Sequence, residues 1–512
     1  MTSADELKRE IEELRKKGYQ FINDEISRND FKGISGGRGV YAEKEKGKFM
    51  IRLRTSSGIV TRDHLGCIIS YADKYKLENI RLTTRQAVQL HHLSIDGVCD
   101  IMEDAIDQGL FTRGSGGNFP RNVTLSPLSG VDPKEVFDVT PFAVLVGRYF
   151  QDRITKYKLP RKFKAAFSST FEDTGCATIN DIGFIAAERD GELYFQLYLG
   201  GGLGGGPAVA VPYPRLVKPD RILYYVEAMI NLFQGEGDYE NKGKARSRFI
   251  VKWMGEEDFL ACFDQYLKEA EDTQDFEGIQ AVPAKVEAWN PQLDIQDLVI
   301  PQRQKDRYTF VIHPLCGQLP TAEGKRILEF ILDKDEVDLR LSMNQDIFVR
   351  NLTKEEVIAL MDMVKNYNQV DTIGRTITCV GTPTCQIGIQ QSQKLTEDIA
   401  KAMKHAQLSG DYLPRIQING CLNSCSRHPA APLGFAGFVT KVEGKSTPCF
   451  YLYVDGSVRT DARIGQKVGA MAEDRIPQFI VELATALRNQ ETSYEAYCKT
   501  SEFGKLLEAY LV

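Results

Sequence analysis

The chain has 512 residues, of which 42% are hydrophobic and 26% are charged, and its formal net charge is −6. This length exceeds a single hydrophobic core, so several structural units are expected. The slight negative charge gives no general attraction to nucleic acid or to an anionic membrane surface, and neither is expected as a partner. No apolar run approaches the length of a membrane span, and eleven cysteines without a disulfide-scaffold pattern suit a reducing cytoplasm, where we expect the protein to reside.

The first 44 residues are predicted to form an N-terminal helical arm. The opening "MTSADELKREIEELRKKG" is a charged helical pattern without the apolar stretch of a secretory signal. Apolar side chains recur in it at helical spacing: Leu7, Ile11, Leu14, Phe21 and Ile22. We interpret the arm as a packing element.

An internal repeat organises the rest of the chain. "RLTTRQAVQLHHL" from Arg81 aligns with "RLSMNQDIFVRNL" from Arg340, and the same offset aligns "FMIRLRTSSG" from Phe49 with "YTFVIHPLCG" from Tyr308. Each copy has the pattern of a strand, a turn, an amphipathic helix and a strand. The helices are predicted at about 62–75 and 323–332.

A second pair of similarities follows the two copies. "LPRKFKAAF" from Leu159 resembles "LPRIQINGC" from Leu413, and "DIGFIA" from Asp181 resembles "PLGFAG" from Pro432. The chain is therefore predicted to consist of two diverged halves, each with two parts, joined by a proline-punctuated connector. The predicted boundaries are an N-terminal arm at 1–44, a first half-domain at 45–112, a first large domain at 113–282, a connector at 283–304, a second half-domain at 305–370 and a second large domain at 371–512.

Basic residues are concentrated in the first half. Arg52 and Arg54 are two apart in a strand pattern and share one face, as do Lys162 and Lys164. Neighbouring ammonium groups depress the pKa of at least one of them, which suits a proton donor, and they attract small oxyanions. An alternative is an edge strand that carries lysines against aggregation, but it does not account for the whole set. The set is Arg52, Arg54, Arg81, Arg85, Arg121, Arg161, Lys162 and Lys164.

Two further segments of the first half are candidates for cofactor contacts. "ENKGKARSRF" alternates Lys242, Lys244, Arg246 and Arg248, which is either an ordinary charge run or a device for holding carboxylates. "LGGGLGGGPAV" formally satisfies the dinucleotide-binding spacing, but it continues into a strand pattern instead of a helix, so a dinucleotide fold is rejected. Its glycines indicate a flexible turn or a close backbone approach to a flat cofactor.

Four cysteines in the last third of the chain indicate a metal centre. Cys379 and Cys385 are spaced C-x5-C, and Cys421 and Cys425 are spaced C-x3-C, all among small polar residues. Four thiolates converging from short loops are typical of a cubane iron–sulfur cluster. A structural zinc site and buried free cysteines are the alternatives, and the x5 gap counts against zinc.

Together these segments resemble the siroheme-containing sulfite and nitrite reductases from about Gly47 to Gly437, duplication included. The resemblance implies an α+β fold. It would contain two ferredoxin-like half-domains and two siroheme and iron–sulfur α/β domains around a pseudo-two-fold axis. It also implies that a 4Fe–4S cluster is bound by Cys379, Cys385, Cys421 and Cys425, with Cys425 additionally the axial ligand of the siroheme iron. One departure is Leu422, which stands where many members of the family have proline and changes the stiffness of the loop.

The resemblance also assigns roles to the basic residues. It implies that Arg52, Arg121, Lys162 and Lys164 line the face of the siroheme where the anion binds. The residues carried over as cofactor contacts are Arg54, Arg81, Arg85, Gln86, Arg161, Gly201, Gly202, Lys244, Arg246, Arg248 and Asn423.

The resemblance implies a six-electron reduction of a small anion. Lys-x-Lys at 162–164 is more typical of sulfite reductases and Lys-x-Asn of plant-type nitrite reductases, so we predict sulfite reduction to sulfide, with nitrite reduction to ammonia as the alternative. Electrons are expected from ferredoxin or a flavoprotein, since the sequence shows no flavoprotein domain. The same fold and cluster would also suit a related oxygenase of the cobalamin pathway, and the cluster alone would suit a non-catalytic electron carrier or redox sensor.

Overall fold

The computed structural model describes residues 4–295, 298–459 and 461–512. The chain divides into two compact units. The larger comprises Met1–Gly202, Val209–Ile312 and Leu319–Lys365, and the smaller comprises Leu203–Ala208, His313–Gln318 and Asn366–Val512. The predicted connector includes Gln296 and Asp297, which lie outside the described residues. In the described part of the chain, no helix is both long enough and apolar enough to cross a bilayer.

The larger unit begins with the helical arm and the first ferredoxin-like half-domain. Its elements are α1 (Ala4–Ile22), α2 (Arg28–Ser35), β1 (Val40–Ala42), β2 (Phe49–Arg54), β3 (Ile59–Val60), α3 (Arg62–Lys74), β4 (Asn79–Leu82), β5 (Ala87–Leu93) and α4 (Ile95–Asp107). Ile11 and Leu14 of α1 are buried, which agrees with a packing role. Thr61 and Ser94 cap α3 and α4, each accepting a hydrogen bond from a backbone N–H three residues on.

The next part of the larger unit is a sheet covered by helices. Its elements are β6 (Thr124–Leu125), α5 (Thr140–Asp152), β7 (Ala165–Ser168), β8 (Ile182–Arg189), β9 (Glu192–Leu199), β10 (Val211–Pro212), α6 (Ile222–Gly235), α7 (Ser247–Met254) and α8 (Glu256–Thr273). The strand order is β10-β9-β8-β7-β6, with β6, β7 and β8 parallel. Its core is rich in phenylalanine, including the stacked pair Phe167 and Phe184.

The second half-domain completes the larger unit and exchanges a strand with the first. Its elements are β11 (Val299–Pro301), β12 (Tyr308–Ile312), β13 (Gln318–Pro320), α9 (Thr321–Ile331), β14 (Asp338–Leu341), β15 (Ile347–Leu352) and α10 (Lys354–Val364). The two sheets have the orders β1-β2-β5-β4-β13 and β11-β12-β15-β14-β3. Each therefore ends on a short strand supplied by the other copy. The α3 and α9 helices follow these exchanged strands directly, and they agree with the two predicted helices.

The smaller unit repeats the strand arrangement of the helix-covered sheet. Its elements are β16 (Ile377–Thr378), α11 (Ser392–His405), β17 (Ile416–Asn419), β18 (Leu433–Val442), β19 (Lys445–Val454), β20 (Gln466–Ala472), α12 (Ile476–Gln490), α13 (Tyr494–Tyr497) and α14 (Ser501–Tyr510). The order is β16-β17-β18-β19-β20, again with the first three strands parallel. The predicted duplication is thus seen in both pairs of domains.

Strand register corrects one of the sequence alignments. Ala165 pairs with Ile182 in the first copy, and Ile416 pairs with Leu433 in the second. The structural equivalent of Lys164 is therefore Arg415, three residues away from the position that the shared Leu-Pro-Arg implied. Three identical residues in a loop are weaker evidence than the pairing of two strands, since a strand position fixes which face a side chain occupies.

Candidate functional site

Two of the predicted anion-binding arginines meet at one carbonyl oxygen. Arg52, on β2, donates from Nη1 to the Ser115 oxygen at 2.6 Å. Arg121, just before β6, donates from Nη1 to the same oxygen and from Nη2 to the Gly117 oxygen at 2.7 Å. Burial and the nearby Arg52 lower the pKa of Arg121, so the pair is a site of concentrated positive charge.

Tyr41 joins this pair, and the sequence did not single it out. Its Oη accepts a hydrogen bond from the Gly117 N–H at 3.1 Å. Burial favours the neutral phenol, but Arg121 and Arg52 favour the phenolate, and the net effect is a lowered pKa of Tyr41. Glycine at position 116 makes room for this phenol, because a Cβ there would lie 2.5 Å from the oxygen. A lone tyrosine in a short strand carries no sequence signal that would have revealed this role.

A second group of cations surrounds Lys164. Burial, Arg85, Lys162 and Arg246 together lower the pKa of Lys164 well below its usual range. Burial and the charges of Arg246 and Arg121 likewise lower the pKa of Arg85, which links this group to the arginine pair. The predicted pKa depression by a neighbouring ammonium is therefore present, although burial is its largest cause.

The remaining predicted contacts fall into buried and exposed sets. Arg54, Arg81, Arg246 and Arg248 are buried, Arg161 is half-buried in the loop before β7, and Lys244 is exposed. Arg54 donates to the carbonyl oxygens of Arg113 and Pro120, so it holds the loop in which Ser115 lies.

The glycine-rich loop comes close to these arginines. A Cβ at Gly202 would lie 3.0 Å from Nη2 of Arg246 and 3.2 Å from Nη1 of Arg248. Gly201 is also confined, because a Cβ there would lie 2.8 Å from the Asn180 carbonyl oxygen. The loop therefore packs closely against the protein's own side chains, and its approach to a flat cofactor stays a prediction.

Gln86 is fully engaged inside the protein. Its Nε2 donates to the Leu125 oxygen at 2.8 Å and to the Leu341 oxygen at 2.7 Å, and its Oε1 accepts from the Leu125 N–H at 2.8 Å. Gln345, its counterpart in the second copy, donates in return to the Leu82 oxygen at 3.1 Å. One donated hydrogen bond of Gln86 thus reaches the second half-domain and the other reaches β6, and a contact to a cofactor stays a prediction.

In the smaller unit, the four predicted ligand cysteines lie on loops that follow neighbouring parallel strands. Cys379 comes directly after β16, and Cys421 comes two residues after β17 ends. The carboxyl ends of parallel strands meet at one edge of a sheet, so both loops start from the same edge. Burial raises the pKa of Cys385 and Cys421, and each also experiences the charge of Cys425.

Backbone and side-chain donors already face these sulfur atoms. The Gly420 N–H donates to Cys379 Sγ at 3.0 Å, and Asn423 Nδ2 donates to Cys421 Sγ at 3.4 Å. Within the described ranges no three His, Cys, Asp or Glu side chains are arranged to hold a metal ion. The thiolates of a 4Fe–4S cluster do not need such an arrangement, because each is bound to its own iron atom.

The residues of each unit fit the cofactor group predicted for it. In the larger unit, the buried Nε atoms of Arg85 and Arg121 have no hydrogen-bond partner among the described residues. Buried donors of this kind, in a cluster of like charges, suit the carboxylates of a siroheme and a small anion. In the smaller unit, four cysteines, of which Cys379 and Cys421 accept hydrogen bonds at sulfur, suit an iron–sulfur cluster.

Comparison with known proteins agrees with the fold and with the predicted family. A family model described as the nitrite and sulphite reductase 4Fe-4S domain matches residues 116–271. A second, the nitrite/sulfite reductase ferredoxin-like half domain, matches residues 41–107 and 300–367. Together they match more than half of the chain.

Similar proteins were found both among sequences and among solved structures. A ferredoxin–nitrite reductase of Synechococcus elongatus is 26% identical over 454 residues, covering 85% of this chain and 86% of the relative. A chloroplastic ferredoxin–nitrite reductase of Arabidopsis thaliana is 25% identical over 490 residues, covering 91% of this chain and 81% of the relative. The solved structure of the NirA protein of Mycobacterium tuberculosis covers 94% of this chain and 92% of its own, with a TM-score of 0.76 and 22% identity. This last likeness concerns the fold.

The duplicated α+β fold, with its buried cluster of cations and its two pairs of cysteines, is that of an oxidoreductase. Its cofactors are siroheme and a 4Fe–4S cluster. The chain belongs to the nitrite and sulphite reductase family.

Proposed function

We propose that this protein reduces nitrite to ammonia by six electrons, with ferredoxin as the electron donor. The supporting comparison is with relatives named ferredoxin–nitrite reductases in a cyanobacterium and in a plant, which this chain matches over 86% and 81% of their length. They favour nitrite over the sulfite reduction predicted from the Lys-x-Lys pair. Sulfite is supported at the level of the family.

The environment of Lys164 weakens the physical reason for preferring sulfite. That reason was a second ammonium charge for an anion larger and more highly charged than nitrite. Burial and three neighbouring cations lower the pKa of Lys164 well below its usual range, so its amine is a weaker source of charge than a free lysine. A proton-donating amine with a lowered pKa suits the reduction of either anion.

The two arginines that share the Ser115 oxygen are the residues proposed to bind the anion. Arg52 and Arg121 concentrate positive charge on one side of the loop that holds this oxygen. Charge-assisted hydrogen bonds from two guanidinium groups would orient a planar anion and withdraw charge from its oxygen atoms. Lys162 and Lys164 are proposed to supply protons as those oxygens leave.

The four cysteines are proposed as the cluster ligands, with Cys425 also binding the siroheme iron. When bound, the cluster and siroheme would carry the electrons of the donor protein to the anion. The chain's contribution in this unit is to position the sulfur atoms and to stabilise their negative charge. The donors from Gly420 and Asn423 stabilise negative charge on two of the sulfurs, which favours thiolate over thiol.

A direct comparison of the two anions tests the proposed substrate. The kcat/KM for nitrite and for sulfite should be measured side by side, first with reduced viologen and then with reduced ferredoxin. We expect a preference for nitrite, with ammonia as the product. A preference for sulfite, with sulfide as the product, would contradict the proposed substrate and leave only the assignment to the family.

Lys164→Asn provides the matched variant. It replaces the pair by the Lys-x-Asn pattern of plant-type nitrite reductases, and it should lower kcat/KM for sulfite more than for nitrite. Equal losses for the two anions would show that position 164 does not discriminate between them.

A further inference from the structure

A fully buried carboxylate, Asp181, joins three of the segments assigned to the basic site. Its Oδ2 accepts from the Lys164 backbone N–H at 2.8 Å and from Nη2 of Arg246 at 2.7 Å. Its Oδ1 accepts from Nε of Arg246 at 3.3 Å and from the Ser247 hydroxyl. Its backbone oxygen accepts from the Gly200 N–H at 2.9 Å, so the residue before β7, the glycine-rich loop and the start of α7 all meet at Asp181.

The second copy of the domain shows that the fold itself does not need this acid. Gly183 and Gly434 occupy equivalent places, because at each of them a Cβ would lie 2.2 Å from a backbone carbonyl oxygen. Strand register then makes Pro432 the counterpart of Asp181. The copy with the basic cluster carries the carboxylate, and the copy with the cysteines does not.

Charge explains what the carboxylate does there. Of the groups that act on Lys164 in the described part of the chain, Arg85, Lys162 and Arg246 lower its pKa, and Asp181 raises it. A buried ion pair between Asp181 and Arg246 is weak evidence for stability, because desolvation of both charges offsets their attraction. The arrangement is better explained by the demands of the site than by those of folding.

We propose that Asp181 is a positioning residue of the anion site, which fixes Arg246 and the Lys164 backbone and keeps the Lys164 amine able to carry a proton. The inference rests on the proposed function in taking Lys164 as a proton donor to the bound anion. Loss of the carboxylate would leave Arg85, Lys162, Lys164 and Arg246 without this negative neighbour, and the amine would release its proton at lower pH.

Competitive acetylation of the holoenzyme with trace acetic anhydride tests the proposal. The extent of acetylation at Lys164, read by mass spectrometry at a series of pH values, gives the midpoint at which its amine loses a proton. In Asp181→Asn, which keeps the shape of the side chain, we expect this midpoint to fall by about one pH unit or more. The falling limb of the pH profile of kcat/KM for nitrite should move the same way.

Arg246→Gln is an independent variant, for which the expected shift of the Lys164 midpoint is in the opposite direction. It removes a cation that lowers the pKa of Lys164, so the midpoint should rise. If one of the two variants does not fold, the other still decides. An unchanged midpoint in Asp181→Asn, or a fall in Arg246→Gln, would overturn the proposal.

Asp173→Asn is the matched control. Asp173 is also fully buried in the larger unit, but its carboxylate accepts from Ser168, Ala177 and Thr178. It should leave the Lys164 midpoint in place, and a shift equal to that of Asp181→Asn would overturn the assignment. Should the wild-type enzyme fail to reduce nitrite, the proposed function fails, whereas the acetylation midpoints still test the role of Asp181.

Discussion

Gly324→Ala in α9 is expected to stabilise the protein. Gly324 is buried in the helix interior, and a Cβ there would lie 3.6 Å from side-chain carbons of Ile69, Ile80 and Leu319, an ordinary van der Waals contact. Its counterpart in α3 is Leu65, so the first copy already carries a large side chain at this position. Replacing glycine by alanine in a helix interior contributes about 1 kcal/mol. Burying one methyl group adds about 0.8 kcal/mol.

The expected gain is therefore between about 1 and 2 kcal/mol. For a unit of this size it corresponds to a rise of about 2 °C or slightly more in the Tm, measured by differential scanning fluorimetry of the purified holoenzyme. Gly183→Ala is the contrasting variant, because its Cβ would lie 2.2 Å from the Ala177 carbonyl oxygen, and it should lower the Tm. A lower Tm for Gly324→Ala would refute the packing of α3 against α9.

Three further predictions concern charge, the anion site and the cluster. The histidine hydrogen bonds outweigh burial and hold the pKa of Glu43 at about 2, while its hydrogen bond to His92 raises the pKa of that imidazole. The Glu43 carboxylate contributes to stability above its unfolded pKa, whereas the contribution of the His92 imidazole is lost as the pH rises through its raised pKa. Glu43→Gln should therefore lower the Tm more at pH 6 than at pH 9, and an equal loss at the two pH values would contradict this. Tyr41→Phe should reduce kcat/KM for nitrite about tenfold, since a partner of Arg121 is removed, and unchanged kinetics would assign Tyr41 to packing. Cys425→Ser should lower the iron and acid-labile sulfide content per chain, whereas full content would argue against its ligand role.

The internal repeats predicted the duplication, and the family resemblance predicted the α+β fold with its ferredoxin-like half-domains. The 259-residue offset identified α3 and α9 because an amphipathic helix and the strands beside it keep their apolar periodicity through divergence. The short Leu-Pro-Arg match was misleading by three residues, because loops diverge in length while strand pairing is retained.

The charge cluster around Lys164 could be foreseen only in part. Its lysines and arginines were visible in the sequence, since like charges at alternate strand positions form a recognisable pattern. Asp181 and Tyr41 were not, because each is a single residue whose role depends on what lies across the fold from it. The hydrogen bonds from the Gln86 amide to Leu125 and Leu341 were likewise not foreseen, because both partners are distant in sequence, and its contact to a cofactor stays a prediction.

The exchanged strands β3 and β13 have a consequence for how the protein is made. The edge of the first sheet at β4, which ends at Leu82, finds its partner only when Gln318–Pro320 has been synthesised. At a synthesis rate of about 5–20 residues per second, that edge stays unpaired during translation for roughly 10 to 50 seconds. Unpaired strand edges are templates for aggregation. The nascent first half is therefore a natural client for chaperones, and truncated forms that end before residue 318 should accumulate as insoluble protein.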